Sequence, residues 1–266
     1  MELSAPSRWR CIEFISDLHL HESDPSTFAA WSQYLSQTSA DAVFILGDLF
    51  EAWIGDDCLG KNHPFEDECV RILRRAATQR DLYVMQGNRD FLMGPALMAA
   101  CGARFLEDPT ILTFGNQRWL LAHGDALCLD DTDYMAFRTM VRSPQWQSDF
   151  LAKSLTERID LARYMRAQSE GRKQSDVAYA DLNRAAVEAL LREHSAQHMI
   201  HGHTHRPADH LHDHDRDRRV LSDWDLQANK PRSEVLRLRI ANPAQGVAVV
   251  RAERLAPAMT QTKPAD

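Results

Sequence analysis

Residues 12–19 read Ile-Glu-Phe-Ile-Ser-Asp-Leu-His, a short run suited to a buried strand and then Asp17 and His19, two side chains suited to a metal ion. The same unit returns four times. Runs rich in β-branched and aromatic residues lie at Val43–Leu46, Leu82–Met85, Trp119–Ala122 and His198–Ile200. They lead into Gly47-Asp48, Gly87-Asn88-Arg89-Asp90, His123-Gly124-Asp125 and Gly202-His203-Thr204-His205. Between the first two runs Asp24 is placed to cap, and Pro25 to open, a helix with Phe28, Trp31 and Leu35 at i, i+3 and i+7. Phe65, Val70 and Leu73 mark a second helix before the third run. Strand then helix, repeated, predicts a layered α/β domain. Near the end Leu236, Leu238 and Ile240 alternate with Arg237 and Arg239, and Val247–Val250 follows. This predicts a hairpin with one solvated face, and hence a mixed sheet.

From about Asp131 to His194 strand signals stop and helical spacing takes over. Tyr134, Phe137 and Val141 form a stripe ended by Ser143-Pro144; Trp146, Phe150 and Leu151 follow, then Leu155, Ile159 and Ala162, then Leu182, Ala186 and Leu190. The chain is thus expected to divide into a layered core, 1–130 with 195–255, and a helical insertion, 131–194. Residues 256–266, with Pro257 and Pro264 and no periodicity, are expected to be a disordered tail.

Composition narrows the function classes. A formal charge of −7 and the absence of a basic tail argue against a nucleic-acid partner. The most apolar uncharged run, between Asp90 and Arg104, is broken by Gly94 and Pro95, well short of the ~20 residues a membrane helix needs. Arg8 and Arg10 stand before an apolar stretch that Glu13 breaks, which argues against a secretory signal. The five cysteines contain no Cys-x-x-Cys, as expected in a reducing cytoplasm.

In open α/β sheets ligands collect beyond the carboxyl ends of the strands, so the five motifs should meet at one edge. Asp17, His19, Asp48, Asn88, His123, His203 and His205 would then form a donor set of three oxygen-bearing and four imidazole groups. That set suits two divalent ions such as Mn²⁺, Fe²⁺ or Zn²⁺ better than Mg²⁺ or Ca²⁺. Alone, an Asp-x-His or Gly-Asp after a strand is usually a turn or a helix cap; the weight lies in finding five together. His201 alternates with His203, should point to the opposite face, and is read as core or support rather than as a ligand. His210, His212 and His214, interleaved with Asp209, Asp213 and Asp215, have a metal-binding composition but read as an exposed hairpin tip.

Asp-x-His, Gly-Asp, Gly-Asn-x-Asp, His-Gly-Asp and Gly-His-Thr-His, in this order, resemble the calcineurin-like metallophosphoesterases from about Ile12 to Arg206. The longer strings GDLFEAWIGDD (Gly47 to Asp57), GNRDFLMG (Gly87 to Gly94) and HGDALCLDD (His123 to Asp131), followed by FRTMVRSPQWQ, narrow the resemblance to the bacterial UDP-2,3-diacylglucosamine hydrolase family. The resemblance implies a four-layer α/β/β/α sandwich of mixed sheets with a helical lid, and two Mn²⁺ ions. It implies hydrolysis of the pyrophosphate bond of UDP-2,3-diacylglucosamine in lipid A biosynthesis, by metal-activated water attack on the α-phosphorus. UMP and lipid X (2,3-diacylglucosamine 1-phosphate) would be the products. A cytoplasmic protein held peripherally at the inner membrane follows, with no nucleic acid and no protein partner evident.

Carried over residue by residue, Asp17, His19 and His205 would hold one metal, Asn88, His123 and His203 the other, and Asp48 would bridge. Asn88, Arg89 and His123 would be catalytic; Asn88, Arg89, Asp131, Ser169, Lys173 and His203 would touch the substrate. The family places an Asn and a Lys after that Ser, whereas this chain reads Ser169-Glu170-Gly171-Arg172-Lys173, with Lys173 in place of the family's Lys. The apolar faces at Phe137, Met140, Val141, Trp146, Phe150, Leu155 and Ile159 suit either an acyl-chain groove or the lid's own core. Arg158, Arg163, Arg166, Arg172 and Lys173 outnumber Glu157, Asp160 and Glu170 on the same helix, which suits a solvated face or a helix seated on anionic lipid. A relative acting on a water-soluble nucleotide would not need such an insertion.

Overall fold

All five residues of Cys11–Ile15, Glu13 included, are buried because their strand is covered on both faces, as are the next two strands parallel to it, Ala42–Leu46 and Asp81–Met85. The computed structural model describes residues 1–61, 63–174, 181–212, 216–241 and 249–258, with the backbone alone over 166–174. The strands are β1 (Glu2–Ser4), β2 (Cys11–Ile15), β3 (Ala42–Leu46), β4 (Asp81–Met85), β5 (Arg104–Leu106), β6 (Thr110–Phe114), β7 (Gln117–Ala122), β8 (His198–His201), β9 (Ala208–Leu211), β10 (Asp217–Val220), β11 (Val235–Ala241) and β12 (Val249–Leu255). The helices are α1 (Pro25–Gln37), α2 (Pro64–Ala77), α3 (Pro95–Cys101), α4 (Thr132–Val141), α5 (Pro144–Leu151), α6 (Leu155–Gln174) and α7 (Arg184–Glu193). Asp24 caps α1 as expected, its side chain accepting from the Thr27 N–H at 3.0 Å.

Two six-stranded mixed sheets result, in the orders β12-β11-β2-β3-β4-β5 and β1-β6-β7-β8-β10-β9. Ile12, Phe14, Phe44 and Leu46 of the first face Leu112, Trp119, Leu121 and Ile200 of the second. The other face of the first sheet, with Ile15, Val43, Ile45 and Val84, is covered by Trp31 and Leu35 of α1, Val70 and Leu73 of α2, and Leu97 of α3. Val187 and Leu191 of α7 lie on Leu120 and Met199 of the second sheet. Helix, sheet, sheet, helix is the four-layer arrangement expected. The five motifs therefore converge from the strand ends of two stacked sheets, not of one open sheet.

Two charged positions correct the sequence reading. Arg237, expected on the solvated face of the terminal hairpin, is buried. Its guanidinium donates to Oε1 of Glu13 at 2.8 and 2.6 Å, while Oε2 of Glu13 accepts from Tyr34 and Thr38 at 2.8 and 2.6 Å. The pattern did mark the exposed side correctly at Arg239, which pairs with Glu253 across the hairpin at 3.0 Å. Arg158, read with the cations of a solvated or lipid-facing helix, is 1% exposed. It donates to both carboxylate oxygens of Asp57 at 2.8 and 2.6 Å and to the Ile54 carbonyl at 2.5 Å. This fork fastens α6 to the loop after β3. Hydrogen bonds to charged groups contribute ~1.5–3 kcal/mol each. Since Asp57 is half exposed, Arg158→Ala is expected to lower stability by about 2–3 kcal/mol, seen as an earlier midpoint in urea.

The apolar stripes of the insertion divide between the alternatives. Val141 and Phe150 are buried and join the core below α2 and α3, with Phe137, Trp146 and Leu155 packed against it, whereas Met140 is 50% exposed. The hairpin expected around His210 and His212 is the antiparallel pair β9 and β10, and His212 lies 3.4 Å from Glu188 of α7. His214, Val247 and the tail beyond 258 lie outside the described residues, as do the side chains of Arg166, Ser169, Arg172 and Lys173.

Candidate metal centre

The loops that follow β2, β3, β4, β7 and β8 are laced together through their backbones. The N–H groups of Leu18 and His19 donate to the Asp48 carbonyl at 2.9 and 3.0 Å, and the Gly202 N–H to the His123 carbonyl at 3.0 Å. Across the two sheets, the His203 N–H donates to both oxygens of Asp17 at 3.1 and 2.9 Å. Close approach explains the glycines: a Cβ at Gly47 (φ +89°) would run into the His123 ring, and one at Gly87 into the Asp48 carboxylate. Asp90, quoted in the third motif without a role, organises two of these loops at once. Its carboxylate accepts from the Gly87 N–H at 2.7 Å, the Leu49 N–H at 2.8 Å and the Phe50 N–H at 3.2 Å.

All seven candidate ligands meet. On one side Nε2 of His19 lies 3.2 Å from Nε2 of His205, which lies 3.4 Å from Oδ1 of Asp17. On the other, the Asn88 side-chain oxygen lies 2.9 Å from Nε2 of His123 and 2.8 Å from Nδ1 of His203. Between them Oδ2 of Asp48 is 3.9 Å from the His19 ring nitrogen and 3.7 Å from that of His123. The ligand atoms of Asp17, His19 and His205, and of Asp17, Asp48 and His123, all fall within 4.8 Å of one another in each group. His201 is buried on the opposite side of the strand, its Nδ1 at 2.8 Å from the Gly202 carbonyl, and stays out of the cluster as expected.

Five of the seven hold left-handed backbone: Asp17 at φ 52°, His19 at 47°, Asp48 at 51°, His203 at 66° and His205 at 52°. Such conformations cost of order 1 kcal/mol or more at residues with a side chain, and persist only where the surroundings over-determine them. The lacing above does so. The sequence carries no sign of this, because the strained residues are not glycines.

The electrostatics call for positive charge. Burial pushes the Asp48 carboxyl up to about 7. Burial alone would make Asp17 harder to ionise too, yet the His205 hydrogen bond and the His123 and His19 imidazoles hold it well below the usual carboxylate range. Burial opposes a charge on His123 as well, but Asp48, Asp17 and Asp125 override it and lift the ring to about 9. Burial, and then His123, depress His203 to about 4. A divalent cation would meet the same demand without a proton. Carboxylate, amide and imidazole donors at these separations fit such ions.

Support reaches the centre from residues that no motif reading assigned. Nδ1 of His123 bonds the Leu46 carbonyl at 2.9 Å, Nδ1 of His19 lies 3.4 Å from Glu51, and Nδ1 of His205 lies 3.5 Å from Asp223. Asp125 accepts from the Tyr134 hydroxyl at 2.7 Å and Arg138 at 2.8 Å, tying α4 to the His123 loop. Arg142, beyond α4, donates to the Gly87 carbonyl at 2.8 Å. Arg89 stands at the rim, its N–H on Asp48 at 2.8 Å and its guanidinium 3.2 Å from Glu51. Asp131 caps α4, its side chain accepting from the Tyr134 N–H at 3.0 Å.

The calcineurin-like phosphoesterase family matches residues 12–207, which span every motif of this cluster. A UDP-2,3-diacylglucosamine hydrolase of Chromobacterium violaceum is 48% identical over 222 residues, covering 80% of this chain and 90% of the relative. Those of Chromohalobacter salexigens and Bordetella pertussis are 47% and 44% identical, over 79% and 82% of this chain and 87% of each relative. The chain belongs to the calcineurin-like phosphoesterases and, within them, to the UDP-2,3-diacylglucosamine hydrolase family.

Proposed function

We propose that the protein hydrolyses the pyrophosphate bond of UDP-2,3-diacylglucosamine at the α-phosphorus, releasing UMP and lipid X, with two Mn²⁺ ions held by the seven clustered donors. The observation that carries this reading is the convergence of Asp17, His19, Asp48, Asn88, His123, His203 and His205 at the edges of two sheets in a chain of this family. Asp17, His19 and His205 are assigned to one ion, Asn88, His123 and His203 to the other, and Asp48 to both. Bound divalent ions supply an activated water near neutral pH and draw off charge from phosphorus.

The chain's own residues then account for the leaving group. An arginine side chain does not serve as a proton donor at neutral pH, so Arg89 is read as a fixed charge and not as a general acid. None is needed, because a sugar phosphate with a second pKa near ~6 leaves without one. The planar guanidinium of Arg89 would instead clamp phosphate oxygens and stabilise charge that grows in the transition state. Arg89→Ala is expected to lower turnover by about 10² to 10³, the scale of one lost preorganised donor, with Mn²⁺ content unchanged. A near-normal rate in that variant would overturn the role.

Within the stretch 131–194 expected to be the lid, α7 belongs to the outer layer of the second sheet, and α4 to α6 are the proposed acyl-chain lid, supported by apolar side chains left exposed on them: Met140 at 50%, Leu151 at 42%, Leu161 at 38% and Tyr164 at 63%. Among the described residues no helix is long and apolar enough to cross a membrane, and we place the protein peripherally at the cytoplasmic face of the inner membrane. Burial of apolar tails stabilises by roughly 0.8 kcal/mol per CH₂, so tail length should dominate affinity. The test is a comparison of kcat/KM on diacylated and fully deacylated UDP-glucosamine with Mn²⁺. The diacylated substrate is expected to be favoured by orders of magnitude; equal efficiencies would favour a hydrolase of water-soluble nucleotides.

A further inference from the structure

The reaction outlined above leaves one acidic side chain at its edge without a task. Glu51 follows β3 on the loop that carries Asp48, with its N–H on the Leu20 carbonyl at 3.2 Å and its side chain only 12% exposed. Its two carboxylate oxygens meet two different elements of the site. Oε2 lies 3.4 Å from Nδ1 of His19, and Oε1 lies 3.2 Å from Nη1 of Arg89. We propose that Glu51 is a positioning residue that sets the His19 imidazole and the Arg89 guanidinium relative to one another through a single carboxylate. This rests on the reading of His19 as a metal ligand and of Arg89 as the phosphate clamp.

The chemistry follows from what each partner offers. A carboxylate placed 3.4 Å from Nδ1 favours the tautomer with the proton on that nitrogen, which keeps Nε2 unprotonated and raises its basicity. In His19 Nε2 is the nitrogen facing the cluster, 3.2 Å from Nε2 of His205. Arg89 meets Glu51 through Nη1, while its backbone N–H donates to Oδ1 of Asp48 at 2.8 Å. The arrangement holds the fork beside the centre while leaving donors for phosphate oxygens. His205 has a comparable backing from Asp223, which Arg232 holds at 2.7 Å, but that carboxylate has no contact with Arg89. The imidazole of His123 is backed by a peptide carbonyl instead. Glu51 joins the two functions through one side chain.

An exposed ion pair would behave otherwise, adding little to stability and nothing to the chemistry. Glu51→Gln separates the possibilities, because one amide oxygen can serve His19 or Arg89 but not both. Metal-stripped full-length wild type, Glu51→Gln and Asp223→Asn would be titrated with Mn²⁺ by calorimetry. Turnover at saturating Mn²⁺ would be measured for these proteins, for Arg89→Ala and for Glu51→Gln combined with Arg89→Ala. Both carboxylate variants are expected to bind Mn²⁺ about 10- to 100-fold more weakly. At saturation Glu51→Gln should keep a deficit in kcat that Asp223→Asn lacks, and that deficit should shrink below about twofold once Arg89 is alanine. Unchanged Mn²⁺ affinity in Glu51→Gln, or a deficit of undiminished size in the Arg89→Ala background, overturns the proposal. A wild type that binds Mn²⁺ yet leaves UDP-2,3-diacylglucosamine intact would instead refute the substrate, and the titration would still decide the tie between Glu51 and His19.

Discussion

Replacing Asp48 by asparagine is expected to lower turnover by more than about 10³, past the ~10² to 10³ that follows the loss of one preorganised donor. The amide keeps an oxygen that can still accept the Arg89 N–H, now bonded to Oδ1 at 2.8 Å, so the loop need not move. What disappears is a negative charge that lies within 4 Å of ring nitrogens on both sides of the cluster. Both proposed ions would lose it together. Losses at outer partners of a metal site are typically 10- to 100-fold, and a shared inner carboxylate should exceed them. Turnover and Mn²⁺ stoichiometry of purified Asp48→Asn check this; near-normal activity with two equivalents bound would sink the bridging assignment.

The second large effect is on stability. Arg237→Ala would strand the buried carboxylate of Glu13, leaving Tyr34 and Thr38 as its donors. Breaking a buried pair from one side costs about 3–5 kcal/mol, chiefly because a desolvated charge is left without its counterion. Equilibrium urea unfolding should show that loss in Arg237→Ala. It should also show part of it recovered when Glu13→Leu is combined with Arg237→Met, an apolar pair of similar bulk, the recovery stopping short because the buried Tyr34 and Thr38 hydroxyls lose their acceptor. A loss under about 1 kcal/mol would mean that water reaches the pair.

That pair also marks where the sequence stops being legible. Alternation of Leu236, Leu238 and Ile240 with arginines locates the strand and its apolar face correctly. It cannot tell a solvated arginine from one neutralised by a glutamate 224 positions earlier, because periodicity registers apolar burial and not the burial of paired charge. Arg158 misleads for the same reason: Asp57, its partner, is 101 positions away. The ligand-type residues at the strand ends are legible since topology forces them to one edge, and chemistry-bearing residues follow each strand directly. Glu51 and Asp223 are not: Glu51 lies inside the Gly47–Asp57 string with nothing to mark its role, Asp223 lies outside every motif, and only folding turns each carboxylate toward an imidazole. Nor does any residue type announce the left-handed backbone at Asp17, Asp48 or His203.

The lacing of loops from both sheets has a consequence in the order of synthesis. Asp17 and His203, like His19 and His205, are 186 positions apart, so no nascent chain can close the centre until nearly four-fifths of it has been made. The parallel strands β2, β3 and β4 can pair well before that, since domains form from the N-terminal side as the ribosome advances. During this interval Asp17 and Asp48 stand at an open sheet edge in water, where no imidazole from β7 or β8 yet compels their left-handed backbone. The centre is therefore closed late, by the segment that brings His203 and His205, and a chain released before β7 carries Asp17 and Asp48 but none of the histidines contributed by the second sheet.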